Sequence, residues 1–594
     1  MRLADYIMSR LHDAGIGHVF MVTGRGALFL TDAVAKHPDL EGVSVHHEQS
    51  AAFAAVAYAQ QKGHAGACLV STGCASTNAI TGVLSAWQDG IPCVFISGQN
   101  ILAETSRHTG VAVRTYGQQE ADIVALVAPI TKYATMLRNA DDIVQVMDDA
   151  LRLAHSGRKG PVWIDVPLDL QSAQIEPPEV AVAPVADDGL PELRAADVAC
   201  IQELLAQARR PVVLIGSGIA SSGAERELQA FIGQRQMPLV FAASAVDTCG
   251  TAQALSIGSV GAMGCSRAGN FAVQNADLVL VLGSRLNSLT TGPDACKFAR
   301  GARVVVVDID AEEHRKAGVR IDHFVQADVR QLLVALQSAQ AHAVDAAWLA
   351  KCQHWKALFA AVEPAFAATD RVDLYQLAEQ LSVALPADAT LLTDSGLAEV
   401  ILPTNVRFAS GMRCIHPVSQ GAMGFALPAT IGAHLARPGT TVAVIGDGSI
   451  MMNLQELETI RHRKLPIKVI VINNNVYSII RRRQQDLFRK RTIGTDPDNG
   501  VSCPDFAKVA ACFGFAYMKI DGPQDLAEGL RALMAHPDHV ICEVMGRTDQ
   551  GYIEVAQTRS EIDKRAVRRP LEDQSPFLDR ALFLSEMIVD PIDQ

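Results

Sequence analysis

Short apolar runs rich in β-branched residues alternate along this chain with longer amphipathic stretches. Between Ala67 and Gly98 the text reads ACLVST, then NAITGVLSAWQD, then PCVFISG. That rhythm predicts βαβ units and a parallel sheet whose strands are buried on both faces. It returns at RRPVVLIGSG, DLVLVLGSR and ARVVVVDID as far as about Gln340, and again at TLLTD, TVAVIGDG, IKVIVINNN and HVICEVM. Proline and acid crowd IEPPEVAVAPVADDGLPE, which suits an extended linker over Ile175 to Glu192. An aromatic and alanine-rich helical stretch ending near Asp370 parts the second run from the third. The pattern predicts an α/β fold of three doubly wound parallel-sheet domains, at residues 1–174, 193–345 and 371–548. A charged tail over 549–594 is expected to wrap a surface or lie partly loose.

Composition narrows the class. Of 594 residues 49% are hydrophobic, enough to fill several cores, so disorder is excluded as the main state. The 52 basic and 64 acidic residues leave a net charge of −12, dispersed rather than gathered in a tail, which argues against nucleic acid as a partner. Val304–Val307 and Val469–Ile472 read as buried strands, and apolar runs of this length fall far short of a membrane span. The opening MRLADYIMSRLHDAG carries charges throughout, unlike a signal peptide, so a soluble cytoplasmic protein is expected. The 12 cysteines include no C-x-x-C pair and are expected as reduced, mostly buried thiols that ligate no zinc.

The most informative segment is Gly446-Asp447-Gly448-Ser449, directly after TVAVI, followed by Asn473-Asn474 at the end of IKVIVI. In an open parallel sheet the ligand crevice lies outside the carboxyl ends of the strands, and glycines let the backbone approach a phosphate. Asp447 and Asn474 both offer oxygen, the donor set of a Mg²⁺ ion that bridges protein to diphosphate. A glycine turn with a capping aspartate accounts for GDG by itself equally well.

Spacing separates the two readings. Asp447 and Asn474 lie 27 positions apart, and GDG-S-x(23)-NN resembles the diphosphate and Mg²⁺ signature of thiamine diphosphate enzymes. The text from Gly421 to Ile460, GAMGFALPATIGAHLARPGTTVAVIGDGSIMMNLQELETI, resembles the acetohydroxyacid (acetolactate) synthase branch of that superfamily. Near the start, VSVHHEQSAAFAAVAYAQQKGHAGACLVSTG resembles its pyrimidine-binding domain. The resemblance implies a pyrimidine-binding first domain, a Rossmann-like middle domain and a diphosphate-binding third domain. It also implies a homodimer or homotetramer with the active site between domains of two chains.

By the same resemblance Glu48 bonds N1′ of the cofactor's aminopyrimidine and relays a proton, while the carbanion chemistry belongs to the cofactor. Taken alone, Glu48 is a helix N-terminal acid favoured by the macrodipole. Gly446, Gly448 and Ser449 are implied at the diphosphate, and Asp447, Asn474 and Val476 at the Mg²⁺. Met423 is the implied apolar wedge under the cofactor, and the Gly421 carbonyl the acceptor for its 4′-amino group. Gln119 in RTYGQQEAD matches a glutamine aimed at the reaction centre; its bland alternative is a surface amide. His46 and His47 receive no role.

In the middle domain GSGIASSGA, LGSRLNSLTTG and VVVVDIDAEE resemble FAD-binding stretches of the same family. Gly216, Gly218 and Gly223 form a turn that can cradle a phosphate. Arg285 is implied to reach the dinucleotide, with Asp308 and Asp310 at the ribose end and Asp328 closing a QAD turn. The alternative is a scaffold domain that binds no flavin.

The acceptor side departs from the family. An arginine that grips the carboxylate of a second 2-oxoacid is replaced by Leu289, a pocket tryptophan by Arg483, and an aromatic beside the reaction centre by Gln118. Ile479 is implied at the same pocket. Arg481, Arg482 and Arg483 read either as a solvated basic run or as an anion site built from forked guanidinium groups. The expected function is a decarboxylating carboligase that transfers a two-carbon unit from pyruvate to a ketone or a nucleotide-linked keto sugar. It is similar in that respect to the carboligases of branched-chain (yersiniose-type) sugar synthesis. The alternatives are acetolactate synthase, an FAD-dependent pyruvate oxidase, and an inactive cofactor-binding regulatory subunit.

Overall fold

The computed structural model describes residues 1–177, 189–337, 343–359, 362–560 and 564–592. Most of the expected linker, 178–188, lies outside the described residues.

Three six-stranded parallel sheets carry the fold. The first holds β1 (His18–Met21), β2 (Glu41–Ser44), β3 (Gly66–Val70), β4 (Cys93–Gln99), β5 (Tyr133–Met136) and β6 (Pro161–Pro167) in the order 2-1-3-4-6-5. The second holds β7 (Pro211–Ile215), β8 (Leu239–Phe241), β9 (Ser256–Ser259), β10 (Leu278–Leu282), β11 (Arg303–Asp308) and β12 (His323–Gln326), with β7 and β10 adjacent at its centre. The third holds β13 (Thr390–Thr393), β14 (Arg413–Ile415), β15 (Thr441–Gly446), β16 (Lys468–Asn473), β17 (Ala516–Ile520) and β18 (Val540–Met545). Its order, 14-13-15-16-18-17, repeats that of the first sheet. The strand order reverses between β13 and β15 and between β7 and β10, and such switch points open a crevice at the strand ends. The expected doubly wound α/β architecture is the one observed.

Central strands such as GACLV, PVVLI and LVLVL are buried at every position, because helices cover both faces. Edge strand β17, AYMKI, is mostly half-buried, so it lacks the continuous apolar signal of its neighbours.

Helix Glu48–Lys62 has no polar face: Ser50 through Ala59 are all buried. Its alanines let backbones close in from three sides. A methyl group at Gly66, Gly82 or Gly432 would lie 2.9, 3.1 or 2.7 Å from the main-chain carbonyl carbon of Ala55, Ala52 or Ala54. Gly432 belongs to helix Ala426–Ala436 of the third domain, so this contact locks the first domain to the third.

The tail wraps the middle domain. Gln274 donates to Glu572 at 2.6 Å, Arg300 pairs with Glu572 at 2.7 Å, and Trp355 donates to Glu586 at 2.9 Å. Of the cysteines six are buried, while Cys74, Cys296 and Cys512 are exposed, a larger exposed share than expected. No helix among the described residues is long and apolar enough to cross a membrane.

Candidate active site

At the switch point of the third sheet, the loop after β15 carries Gly446–Ser449. Asp447 is buried and accepts from the amides of Gly448 (2.7 Å), Asn474 (3.1 Å) and Asn475 (2.5 Å), which ties the loop to the end of β16. Burial pushes its carboxyl up to about 6 against the pull of those amides. A buried carboxylate held this way is stabilised by a cation. Asn474 Oδ1 accepts from the Val476 amide at 3.2 Å, and its amide nitrogen donates to Ser478. A Cβ on Gly446 would meet nothing within 4 Å, whereas one on Gly448 would lie 2.8 Å from Cζ of Tyr477. The turn therefore presents bare backbone on one side and is walled on the other, a cradle that fits a phosphate.

Asp394, at the carboxyl end of β13, was not singled out in the sequence. It is buried and accepts from the amides of Gly424 (3.0 Å) and Ala426 (2.7 Å), and the Ser449 hydroxyl also bonds it. One carboxylate thus joins the turn that carries Gly421 and Met423 to the loop that carries Asp447. Gly421 and Gly424 have φ of +60° and +78°, which explains the glycines of GAMG. Met423 is only partly buried, leaving one flank free. The signal for Asp394 was its position alone, an acid ending a strand beside the switch point.

Glu48 opens the first turn of its helix, and Asn78 donates to it at 2.9 Å. His47 is the N-cap, its Nδ1 accepting from the Gln49 amide, and the His46 amide donates to Glu456 at 3.2 Å. Gln119 is exposed with φ +61°, and its main chain rests against Gly73, where a Cβ would lie 2.9 Å from its carbonyl carbon. Gln118 accepts from Arg25 at 2.9 Å. Glu48 and Asp447 share no hydrogen bond or ion pair among the described residues.

In the middle domain the turns after β7 and β10 meet: a Cβ on Gly216 or Gly218 would lie 2.6 Å from Cα of Ser284 or Gly283. Beside them opens a cavity of about 670 Å³ lined by Gly218, Arg285, Asp308 and Asp328, a size ordinary for a cofactor. Asp308 lies 3.2 Å from His314, and Asp328 accepts from the Arg330 amide. Asp310 does not line this cavity: it pairs at 3.0 Å with Arg158, which does, and accepts from the Glu312 amide at 3.1 Å. Gly223 ends a short helix with φ +65° and has nothing within 4 Å of a Cβ.

A second cavity, about 270 Å³, shares Arg285 with the first and runs to Leu289, Glu399, His416 and Gly421. Arg285 donates to Ser419 Oγ at 2.5 Å and to the Gln88 carbonyl at 3.4 Å. Leu289 is 47% exposed on this wall. Arg483 and Ile479 are not part of it. Arg483 lies 3.5 Å from Glu554, Arg482 bonds the same carboxylate at 2.5 Å and covers the Tyr552 ring, and Arg481 pairs with Asp496. The arginines thus pair with acids, Arg483 remaining 52% exposed, and among the described residues this cavity does not bring Leu289 together with Ile479 and Arg483.

Residues 1–126, 198–336 and 394–544 match the N-terminal TPP binding, central and C-terminal TPP binding domains of the thiamine pyrophosphate enzymes, in that order. The chain is 32% identical to the acetolactate synthase large subunit of Parasynechococcus marenigrum (strain WH8102), over 91% of this chain and 87% of that protein. It is also 32% identical to the acetolactate synthase isozyme 2 large subunit of Escherichia coli (strain K12), over 86% and 90%. With three domains matched in sequence and relatives aligned over most of both chains, the chain belongs to the thiamine pyrophosphate enzymes, in the branch that holds the acetolactate synthases.

Proposed function

We propose that this enzyme is a decarboxylating carboligase that transfers a two-carbon unit from pyruvate to a neutral carbonyl acceptor, a ketone or a keto sugar, nucleotide-linked or free. One observation carries the choice of acceptor. The cavity that opens on Gly421 has Leu289 and Glu399 on its walls, and its cation, Arg285, is already bonded to Ser419 and to the Gln88 carbonyl. A second 2-oxoacid would bring its carboxylate against the apolar Leu289, which cannot pair it, and toward Glu399, which repels it, and a charge left unpaired on leaving water costs several kcal/mol.

Bound thiamine diphosphate supplies the carbanion chemistry at its thiazolium ring. The protein's part falls to named residues. Glu48 holds a proton at N1′, Met423 and the Gly421 carbonyl orient the aminopyrimidine, and Gly446, Gly448 and Ser449 take the diphosphate. Asp447, Asn474 and the Val476 carbonyl hold Mg²⁺. FAD fits the larger cavity through Gly218, Arg285, Asp308 and Asp328, with Gly216 in the turn beside it, and we drop Asp310 from its contacts. The active form is a cytoplasmic homodimer or homotetramer in which Glu48 of one chain completes the site of another. The exposed Ile480, Leu487 and Phe488 support that reading.

Acetolactate synthase is the second reading, favoured by the names of the relatives. Labelled pyruvate alone and with a ketone, read by product mass, decides between them. Acetolactate undiminished by the ketone would overturn the proposal, and absence of cofactor-dependent CO₂ release would point to an inactive subunit.

A further inference from the structure

The cavity beside Gly421 holds two buried ionisable groups for which the cofactor machinery has no use. His416 follows β14 and is 5% exposed; Glu399 lies in the first turn of helix Leu397–Asn405, just after β13. His416 Nε2 is 3.0 Å from the Ala243 carbonyl. A carbonyl only accepts, so Nε2 carries its proton in either charge state and the basic lone pair belongs to Nδ1. Nδ1 is buried without a hydrogen-bond partner, and Glu399 Oε1 stands 3.9 Å from it. That gap is too long for a direct hydrogen bond. Glu399 Oε2 also lies 3.8 Å from where a Cβ on Gly421 would be, so ring, carboxylate and turn face one space. The ring is anchored through Nε2 alone. A buried polar atom left unmatched costs free energy, and an oxygen entering the cavity would satisfy it.

We propose that His416 Nδ1, backed by Glu399, donates the proton to the acceptor's carbonyl oxygen. This inference rests on the carboligase reading above. As the new C–C bond forms at the acceptor carbon, the carbonyl π pair moves to oxygen, and that oxygen takes the proton from Nδ1. The N–H electron pair stays on the ring, which returns to its neutral Nε2–H form, and solvent supplies the next proton. Glu399 stands 3.9 Å from the donor atom and repels an acceptor that carries its own carboxylate. The other charged groups facing His416 are Asp89 and Arg285, both reached through Ser419. Cys265 lines the same cavity, but burial pushes its thiol up to about 12, so it stays uncharged.

His416→Gln is the informative variant, because its amide can still donate to Ala243 while Nδ1 is removed. Two rates are compared: ligation of labelled pyruvate to a ketone, and CO₂ release coupled to ferricyanide, which takes electrons from the two-carbon unit and needs no acceptor oxygen. Their ratio is expected to fall by about 10²- to 10⁴-fold, the usual share of general acid catalysis. The second readout is the His416 ring resonance in the full chain without added cofactor, assigned by its loss in His416→Gln. An added ketone should move that resonance, because its oxygen meets Nδ1. An unchanged rate ratio, or a ring resonance that the ketone leaves in place, overturns the proposal. A wild-type protein that releases no CO₂ from pyruvate defeats the carboligase reading instead, and the ring resonance still decides whether the acceptor reaches Nδ1.

Discussion

Gly432→Ala tests the contact that joins the first domain to the third. The added methyl would lie 2.7 Å from the Ala54 carbonyl carbon and closer still to its oxygen. Carbon atoms in comfortable contact sit about 3.5–4.0 Å apart, so one helix must retreat by roughly 1 Å. Both sides are backbone, and neither can swing away. Overpacking of a core costs about 1–3 kcal/mol, offset by the roughly 0.5–1 kcal/mol that alanine gains over glycine within a helix. A net loss of about 1–2 kcal/mol follows, and at 2–4 °C per kcal/mol the melting midpoint should drop by about 2–8 °C. Gly233 is the control: it lies in helix Glu225–Arg235 and a Cβ there meets nothing within 4 Å. Gly233→Ala should raise stability by about 0.5–1 kcal/mol. Thermal unfolding by circular dichroism reads both. Because helix Ala426–Ala436 follows directly on the turn of Gly421 and Met423, Gly432→Ala should also weaken thiamine diphosphate binding, measured by titration calorimetry. A Gly432→Ala protein as stable as Gly233→Ala, with cofactor affinity intact, would refute the steric argument.

Glu48→Gln should leave the melting midpoint and cofactor binding close to wild type while turnover falls about 10²- to 10⁴-fold, because an amide cannot relay the N1′ proton; steady-state kinetics with pyruvate check it. Asp394→Asn should flatten the pH dependence of stability. Burial raises the Asp394 carboxyl to about 7, above its unfolded value, so the folded state binds the proton more tightly. The stabilisation this gives at acid pH is lost as pH rises from about 4 to about 7, at up to about 1.4 kcal/mol per unit. Denaturant midpoints of variant and wild type between pH 5 and 8 should converge in slope above pH 7 and differ below it. Arg285→Ala should lower the flavin absorbance of the purified protein; equal flavin content in variant and wild type would remove Arg285 from that site.

The sequence by itself determined the βαβ rhythm and the three domains, because fully buried central strands must be apolar at every position and so announce themselves. It also determined the GDG-S-x(23)-NN element, whose residues are close in sequence and tied by amides to one carboxylate, Asp447. Tertiary structure decided the rest. Helix Glu48–Lys62 reads as a featureless alanine run; only the packing against Gly66, Gly82 and Gly432 explains why it has no polar face. Asp394 and Glu399 follow β13 and His416 follows β14, and no local pattern joins them. The charges of Asp310 and of the arginine run are open to a ligand in the sequence, and only the fold pairs them with Arg158, Asp496 and Glu554. Sequence spacing reports what one segment offers, whereas the partners that claim a charge are chosen by the fold.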